Sequence, residues 1–198
     1  MSDELPVGQH HLDLLRGPME ALGSEVDRMT AWGAHLAGVL LEGGRLLACG
    51  NGGSAAHAQH LTAELVGRYR FERQPLSAIA LHADTSALTA IANDYPPDQL
   101  FARQVQAHGR PGDVLLALST SGRSPNVVAA VRTANRHGLT TWALTGPVPN
   151  AVAAASADAV VVDAPCTATV QEVHQVVVHL LCAELDAAVA RRPEVVQT

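Results

Sequence analysis

Apolar and polar positions along this chain follow two regimes that meet near residue 45. Between Glu4 and Glu42 apolar residues recur at helical spacing, with Leu22, Val26, Met29, Leu36, Val39 and Leu40 on the stripe. Gly17-Pro18 interrupts the pattern, which predicts one short and one long helix, the second closed by Gly43-Gly44. Beyond residue 45 short, continuous apolar runs alternate with amphipathic ones. Strands are predicted over 45–49, 78–81, 114–118, 140–144 and 159–162. Helices are predicted over 54–66, 85–92, 98–108, 124–137 and 151–155, and a last one from about Thr169 to Ala190.

Strands that are apolar at nearly every position are buried on both faces, so the alternation implies α/β architecture, a parallel sheet covered by helices on each side. No repeat, low-complexity tract or charge block divides the chain. A single domain, 1–198, is expected, with N-terminal helices over 4–42 and an α/β core over 45–190. Residues 147–150 and the tail after Arg192 read as loop.

In such sheets ligands collect beyond the carboxyl ends of the strands. The first strand runs into Gly50-Asn51-Gly52-Gly53-Ser54, after which the chain continues without Gly or Pro to Val66. Glycines let the backbone turn tightly and approach a ligand, while Ser54 can cap the helix or donate to an anion. A helix N-terminus offers free N–H groups and partial positive charge, which suit phosphate; an ordinary strand-to-helix connection would look the same. The segment Ser119-Thr120-Ser121-Gly122-Arg123-Ser124-Pro125 is built alike, with Ser124 at the cap and Pro125 at the first helical position. Two such turns on one rim point to a phosphate or sugar cradle. A dinucleotide fingerprint is the rival, since residues 50–55 match GxGxxA. That site wants an acid at the end of the next strand; Glu72 precedes the strand and Asp84 lies beyond it.

His60 and Glu64 share one face of the first core helix at i, i+4, which suggests a metal site or an acid/base pair. His57 reads as a surface residue. The last helix carries Gln171, Glu172, His174 and His179. Gln171 and His179 stand ~12 Å apart along a helix and ~80° around it, so one ion reaches both only if the helix start is irregular or two subunits share the site.

Composition narrows the field. With 198 residues, 47% of them hydrophobic and 16% charged, the chain can bury a substantial core. A net charge of −6 and 3% aromatics argue against nucleic acid as a partner. The charge, the absence of an apolar run near the ~18 residues of a membrane span, and a polar start that is no signal peptide argue against a membrane partner and for a cytoplasmic location. Cys49, Cys166 and Cys182 lack CxxC spacing and read as small buried residues in a reducing compartment.

Taken together, CGNGGSAAHAQHLTAELVGRY from Cys49, Ala92-Asn93-Asp94-Tyr95, PGDVLLALSTSGRSPNV from Pro111, and Val170-Gln171-Glu172-Val173-His174 with His179 resemble the SIS superfamily of phosphosugar isomerases. Within it the match is to the phosphoheptose isomerase family, and it covers nearly the whole chain. The resemblance implies a three-layer, flavodoxin-like fold with a five-stranded parallel sheet, assembled as a homotetramer with active sites at subunit interfaces. It implies a sugar phosphate substrate, sedoheptulose 7-phosphate, held by Asn51, Gly52, Gly53, Ser54, Glu64, Asn93, Asp94, Ser119, Thr120, Ser121, Ser124 and Gln171. It also implies zinc held by His60, Glu64, Gln171 and His179, with Glu64 and His179 as the acid/base pair. The superfamily also contains a relative that binds the bacterial replication initiator and has lost metal ligands; all four ligand types are present here. Departures are Thr169 where Arg is usual, Arg123 where Asn is usual, and residues 146–150 in place of a glycine-rich turn. They flank the sugar-binding edge and bear on the substrate, leaving another sugar phosphate as an alternative.

Overall fold

The computed structural model describes residues 6–192. Five strands, β1 (Leu46–Cys49), β2 (Ala78–Ala80), β3 (Val114–Ser119), β4 (Thr140–Thr145) and β5 (Asp158–Val161), form one all-parallel sheet in the order β2-β1-β3-β4-β5. Leu46 lies opposite both Ala78 and Val114, and Cys49 opposite Ala117. The strand order reverses between β1 and β3, so a crevice opens above their carboxyl ends.

Eight α-helices accompany the sheet among the described residues: α1 (Val7–Ala21), α2 (Val26–Leu41), α3 (Gly53–Val66), α4 (Thr85–Asp94), α5 (Gln99–His108), α6 (Pro125–Arg136), α7 (Ala151–Ala155) and α8 (Thr167–Ala190). Successive strand residues point to opposite faces. Leu46, Ala48, Leu116 and Leu118 therefore pack with α2, α3 and α8, whereas Leu47, Cys49, Leu115 and Ala117 pack with Phe101 and Val105 of α5 and Val127 and Val131 of α6. Every residue of β1 and β3 is buried, which is why both strands are apolar up to Ser119 at the end of β3. Trp32 of α2 stacks on Trp142 of β4 with centroids 4.5 Å apart, and its Nε1 donates to Asp158 at 2.8 Å. That pair fixes α2 to the sheet.

The N-terminal segment departs from expectation. Pro18 lies inside α1, and the chain breaks instead at a 3₁₀ turn, Leu22–Glu25, giving helices of 15 and 16 residues rather than a short and a long one. Leu22 is buried and draws the turn inward, while Ser24 Oγ donates to the Ala21 carbonyl at 2.8 Å. Glu4 and Leu5, expected in the first helix, and the tail expected after Arg192 lie outside the described residues.

α8 also needs a correction. At 24 residues, with a mean hydropathy of 1.4 over its most apolar window, it is long and apolar enough for a membrane span. Its Val170, Val173, Val177, Val178, Leu181 and Leu185 are buried in the core shared with α2 and the sheet. The apolarity thus has an internal use.

Candidate active site

The β1–α3 turn is held open by glycine. Gly52 has φ +55 and ψ −123, a backbone state side chains rarely adopt, and a Cβ on Gly50 would come within 2.7 Å of Ser54 Cβ. α3 begins at Gly53, so Ser54 is its second residue and is buried rather than capping it. Ser54 N–H donates to the Asn51 carbonyl at 3.0 Å and Ala55 N–H to that of Gly52 at 3.0 Å. Gln171 of α8 lies directly on the turn, for a Cβ added to Gly53 would stand 1.4 Å from its Nε2.

The β3–α6 turn stands beside it. Gly122 has φ +61, and a Cβ there would sit 2.1 Å from Asn150 Cγ. Ser119 Oγ and Ser124 Oγ are 3.2 Å apart, and Ser121 Oγ accepts from Arg123 N–H at 3.2 Å. Ser124 occupies the N-cap position but makes no side-chain cap bond; Pro125 follows as the first helical residue. Thr120, partly exposed, completes the turn. Asn150 braces the arrangement by donating to Thr145 Oγ1 and the Gly146 carbonyl, both at 3.2 Å. Asn51 and Asn126 exchange two amide hydrogen bonds of 2.9 Å, joining the two turns. No sequence spacing links those two asparagines.

α3 and α8 run side by side in one direction, with Gln171 against Gly53 and His179 against His60. His60 Nε2 lies 2.9 Å from His179 Nε2 and 3.3 Å from Glu64 Oε1, and the three ligand atoms lie within 4.8 Å of one another. Gln175 Nε2 is 3.0 Å from His179 Nε2, and the Tyr69 ring leans over His179 at 5.5 Å. Two imidazole nitrogens facing each other at this distance cannot both carry a proton. A cation between them would take both lone pairs and the carboxylate, and two nitrogens with an oxygen are a donor set that zinc accepts. Gln175, one turn before His179, is a neighbour that sequence reading did not single out, although its i−4 spacing marks the same face.

Not every expected residue gathers here. Gln171 sits at the N-terminal end of α3, eight residues before His179 on α8. Asn93 and Asp94 end α4, exposed, with Asn93 Nδ2 donating to Asp94 Oδ1 at 2.7 Å and neither bonded to either turn among the described residues. His57 is half-buried rather than a surface residue; burial, then the charge of His60, pushes its pKa down. His174 is fully buried, and desolvation takes its pKa to about 4, although the backbone at Thr145 offsets part of the shift. Neither of its ring nitrogens finds a hydrogen-bond partner among the described residues. Cys49 and Cys182 are buried and free, with thiols pushed up to about 12 by burial. Cys166 is instead partly exposed at the start of α8, where its bond to Thr169 lowers its pKa. The acids a dinucleotide would need are engaged elsewhere: Asp84 caps α4 by accepting from Ala87 N–H at 3.0 Å, and Glu72 faces Arg68 at 4.0 Å.

Residues 15–146 match the SIS domain family. The phosphoheptose isomerase of Streptomyces coelicolor is 59% identical over 181 residues, covering 91% of this chain and 78% of that protein. This chain belongs to the phosphoheptose isomerase family. The phosphoheptose isomerase of Aromatoleum aromaticum is 49% identical over 177 residues, 88% of this chain and 89% of that protein. Among solved structures, phosphoheptose isomerase from Neisseria gonorrhoeae superposes with a TM-score of 0.81 at 42% identity, over 91% of this chain and 97% of that one. The Francisella tularensis phosphoheptose isomerase gives a TM-score of 0.84 at 34% identity, over 90% and 96%. The five-stranded parallel sheet is thus the SIS fold as phosphoheptose isomerases carry it.

Proposed function

We propose that the protein isomerises D-sedoheptulose 7-phosphate to D-glycero-D-manno-heptose 7-phosphate through an enediol. The observation that carries the reading is the convergence of His60, Glu64 and His179 two turns along α3 from a glycine turn suited to phosphate. Gly53 and His60 are seven residues apart, about 10 Å along the helix axis. A heptose 7-phosphate has its phosphate at the far end of the chain from C1 and C2, a stretch of comparable length. In this reading Asn51, Gly52, Gly53 and Ser54, with Ser119, Thr120, Ser121 and Ser124, hold the phosphate and the chain hydroxyls.

Glu64 takes the proton from C1 and returns it at C2, while His179 exchanges the matching proton between the oxygens, both groups working near neutral pH. His60, Glu64 and His179, with Gln171 as a further ligand, would hold zinc, which when bound would supply Lewis-acid polarisation of the ketose carbonyl. A carboxylate engaged with a cation is a weaker base, so Glu64 serves one role at a time. Gln171, Asn93 and Asp94 reach the site through assembly into a homotetramer with interfacial sites. We take the chain as a single SIS domain acting in the cytoplasm.

The test is NMR of the purified protein with a panel of ketose phosphates, with zinc and with chelator. Sedoheptulose 7-phosphate should be converted with zinc, and Glu64→Gln and His179→Ala should each lower turnover by about 10²–10⁴. Unchanged sedoheptulose 7-phosphate with zinc present overturns the proposal. A second reading, an isomerase for another sugar phosphate, is favoured by Arg123, exposed on the β3–α6 turn; turnover of a different ketose in the same panel would establish it. Retention of all four ligand types weighs against a purely binding role.

A further inference from the structure

All thirteen basic residues of this chain are arginines, in a protein of net charge −6. Three of them, Arg123, Arg132 and Arg136, line a groove of about 460 Å³ between α6 and the start of α5. None of the three makes an ion pair among the described residues, whereas Arg16, Arg28, Arg45, Arg68, Arg73 and Arg192 each face a carboxylate. Asp98 lines the same groove but reaches none of them within ion-pair distance.

The groove has built walls. Val128, Arg132 and Arg136 recur at helical spacing on one side of α6, so their side chains project into a common space. Arg136 Nη2 donates to Oγ1 of the buried Thr133 at 2.9 Å, which holds that guanidinium along the wall. Arg132 and Arg136 are one turn apart, about 6 Å along the helix. Arg123 stands at the upper end, in the β3–α6 turn. A volume near 460 Å³ falls within the roughly 300–1,000 Å³ of small-molecule sites.

We propose that Arg123, Arg132 and Arg136 form an anion site, distinct from the His60–Glu64–His179 cluster, for a small molecule bearing two or more phosphoryl charges, such as a diphosphate or bisphosphate ester. Guanidinium forks pair with phosphate oxygens in bidentate fashion, and three forks against one carboxylate leave charge for more than one phosphoryl group. Among the described residues no aromatic side chain lines the groove, so it selects the phosphates rather than a stacked base.

The test is isothermal titration of the full-length protein with inorganic pyrophosphate, and separately with orthophosphate, at about 150 mM chloride to screen weak surface binding. We expect saturable binding of one pyrophosphate per chain, tighter than orthophosphate. Arg132→Gln/Arg136→Gln should weaken it roughly tenfold or more, as expected for losing charge-assisted hydrogen bonds, with sugar-phosphate turnover and circular dichroism unchanged. Arg132→Gln alone removes a side chain with no ion-pair or hydrogen-bond partner among the described residues and should weaken binding without touching Thr133. Absence of saturable binding, equal affinity for orthophosphate, or affinity indifferent to both variants would overturn the site; the last result would put the anion on the β1–α3 or β3–α6 turn.

Discussion

Side-chain-free positions decide how the two turns respond to mutation, and two glycines make opposite predictions. At position 122 a methyl group would meet Asn150 Cγ at 2.1 Å with φ at +61, and Asn150 is itself held by bonds to Thr145 and Gly146. Neither side can yield. Gly122→Ala should therefore lower stability by about 1–3 kcal/mol in urea unfolding and reduce turnover, because the turn itself must move. At position 53 the obstacle is the end of the Gln171 side chain, which can swing away. Gly53→Ala should unfold at nearly the wild-type urea concentration yet lose turnover, because the turn and Gln171 no longer fit each other. Equal stability loss in both variants would refute this distinction.

His174 adds a pH dependence at the same scale. Its folded pKa of about 4 lies below the unfolded value of 6.5, so the unfolded chain binds the proton more readily. Stability from this group is complete above pH 6.5 and is lost as pH falls toward 4, at up to ~1.4 kcal/mol per pH unit. Burial depresses His57 and His82 in the same direction. Urea unfolding from pH 7 to 4 should show the loss, and His174→Phe should flatten the slope. Such residues are the least legible in the sequence. Ser54 looked like a cap because a serine at a helix start usually is one, and only the backbone path of Gly52 and Gly53 moves it to the second helical position. The Asn51–Asn126 pair joins residues 75 apart in sequence, with no local pattern to announce it.

At the scale of elements, the relation of α3 to α8 determines whether the metal-type cluster exists. Arg73 secures that relation. Its Nε lies 2.9 Å from Asp186 Oδ1 of α8, both side chains nearly fully buried, while Nη2 and Nη1 donate to the carbonyls of Glu64 and Leu65 at 2.7 and 2.9 Å. One guanidinium thus takes up free carbonyls at the end of α3 and ties them to α8 one turn or more beyond His60 and His179. Asp186→Ala would leave a buried cation without its partner, and we expect a loss of about 3–5 kcal/mol by urea unfolding. A loss below ~1 kcal/mol, the range of exposed pairs, would show that the ion pair does not hold the helices. The strands were legible to within a residue, because a strand covered on both faces is apolar throughout and ends where the glycine or serine turn begins. His60 and Glu64 were legible from i, i+4 spacing alone. His179 was not, since it joins them only through the parallel docking of two helices more than a hundred residues apart, and resemblance supplied it instead. The expected N-terminal break at Gly17-Pro18 differs from the observed one because proline normally ends a helix, yet α1 keeps Pro18 inside it and gives way to the 3₁₀ turn only at buried Leu22.

For the whole molecule, α1 is the element least explained by its own chain. It is 15 residues long and buries none of them. A helix of that length is marginal in water without a packed face, and among the described residues α1 is tied by Leu15, packed on the core, and by the exposed 2.8 Å His11–Glu172 pair to α8. Val7, Leu12 and Met19 are exposed at 88%, 59% and 39%, and Val26 follows at 44%. An apolar run of this kind on an outer helix fits contact with further copies of the chain, and the proposal that Gln171, Asn93 and Asp94 join the His60–Glu64–His179 cluster across subunits would use such a contact. If both needs are met by one assembly, disrupting it should affect mass and turnover together. Light scattering after gel filtration should give the wild-type protein a mass near four chains. Leu12→Glu/Met19→Glu should shift it to smaller species with circular dichroism retained and lower turnover by at least the tenfold expected when site residues no longer meet. A double variant that keeps the wild-type mass, or one that dissociates while keeping full turnover, would separate the α1 face from the completion of the site.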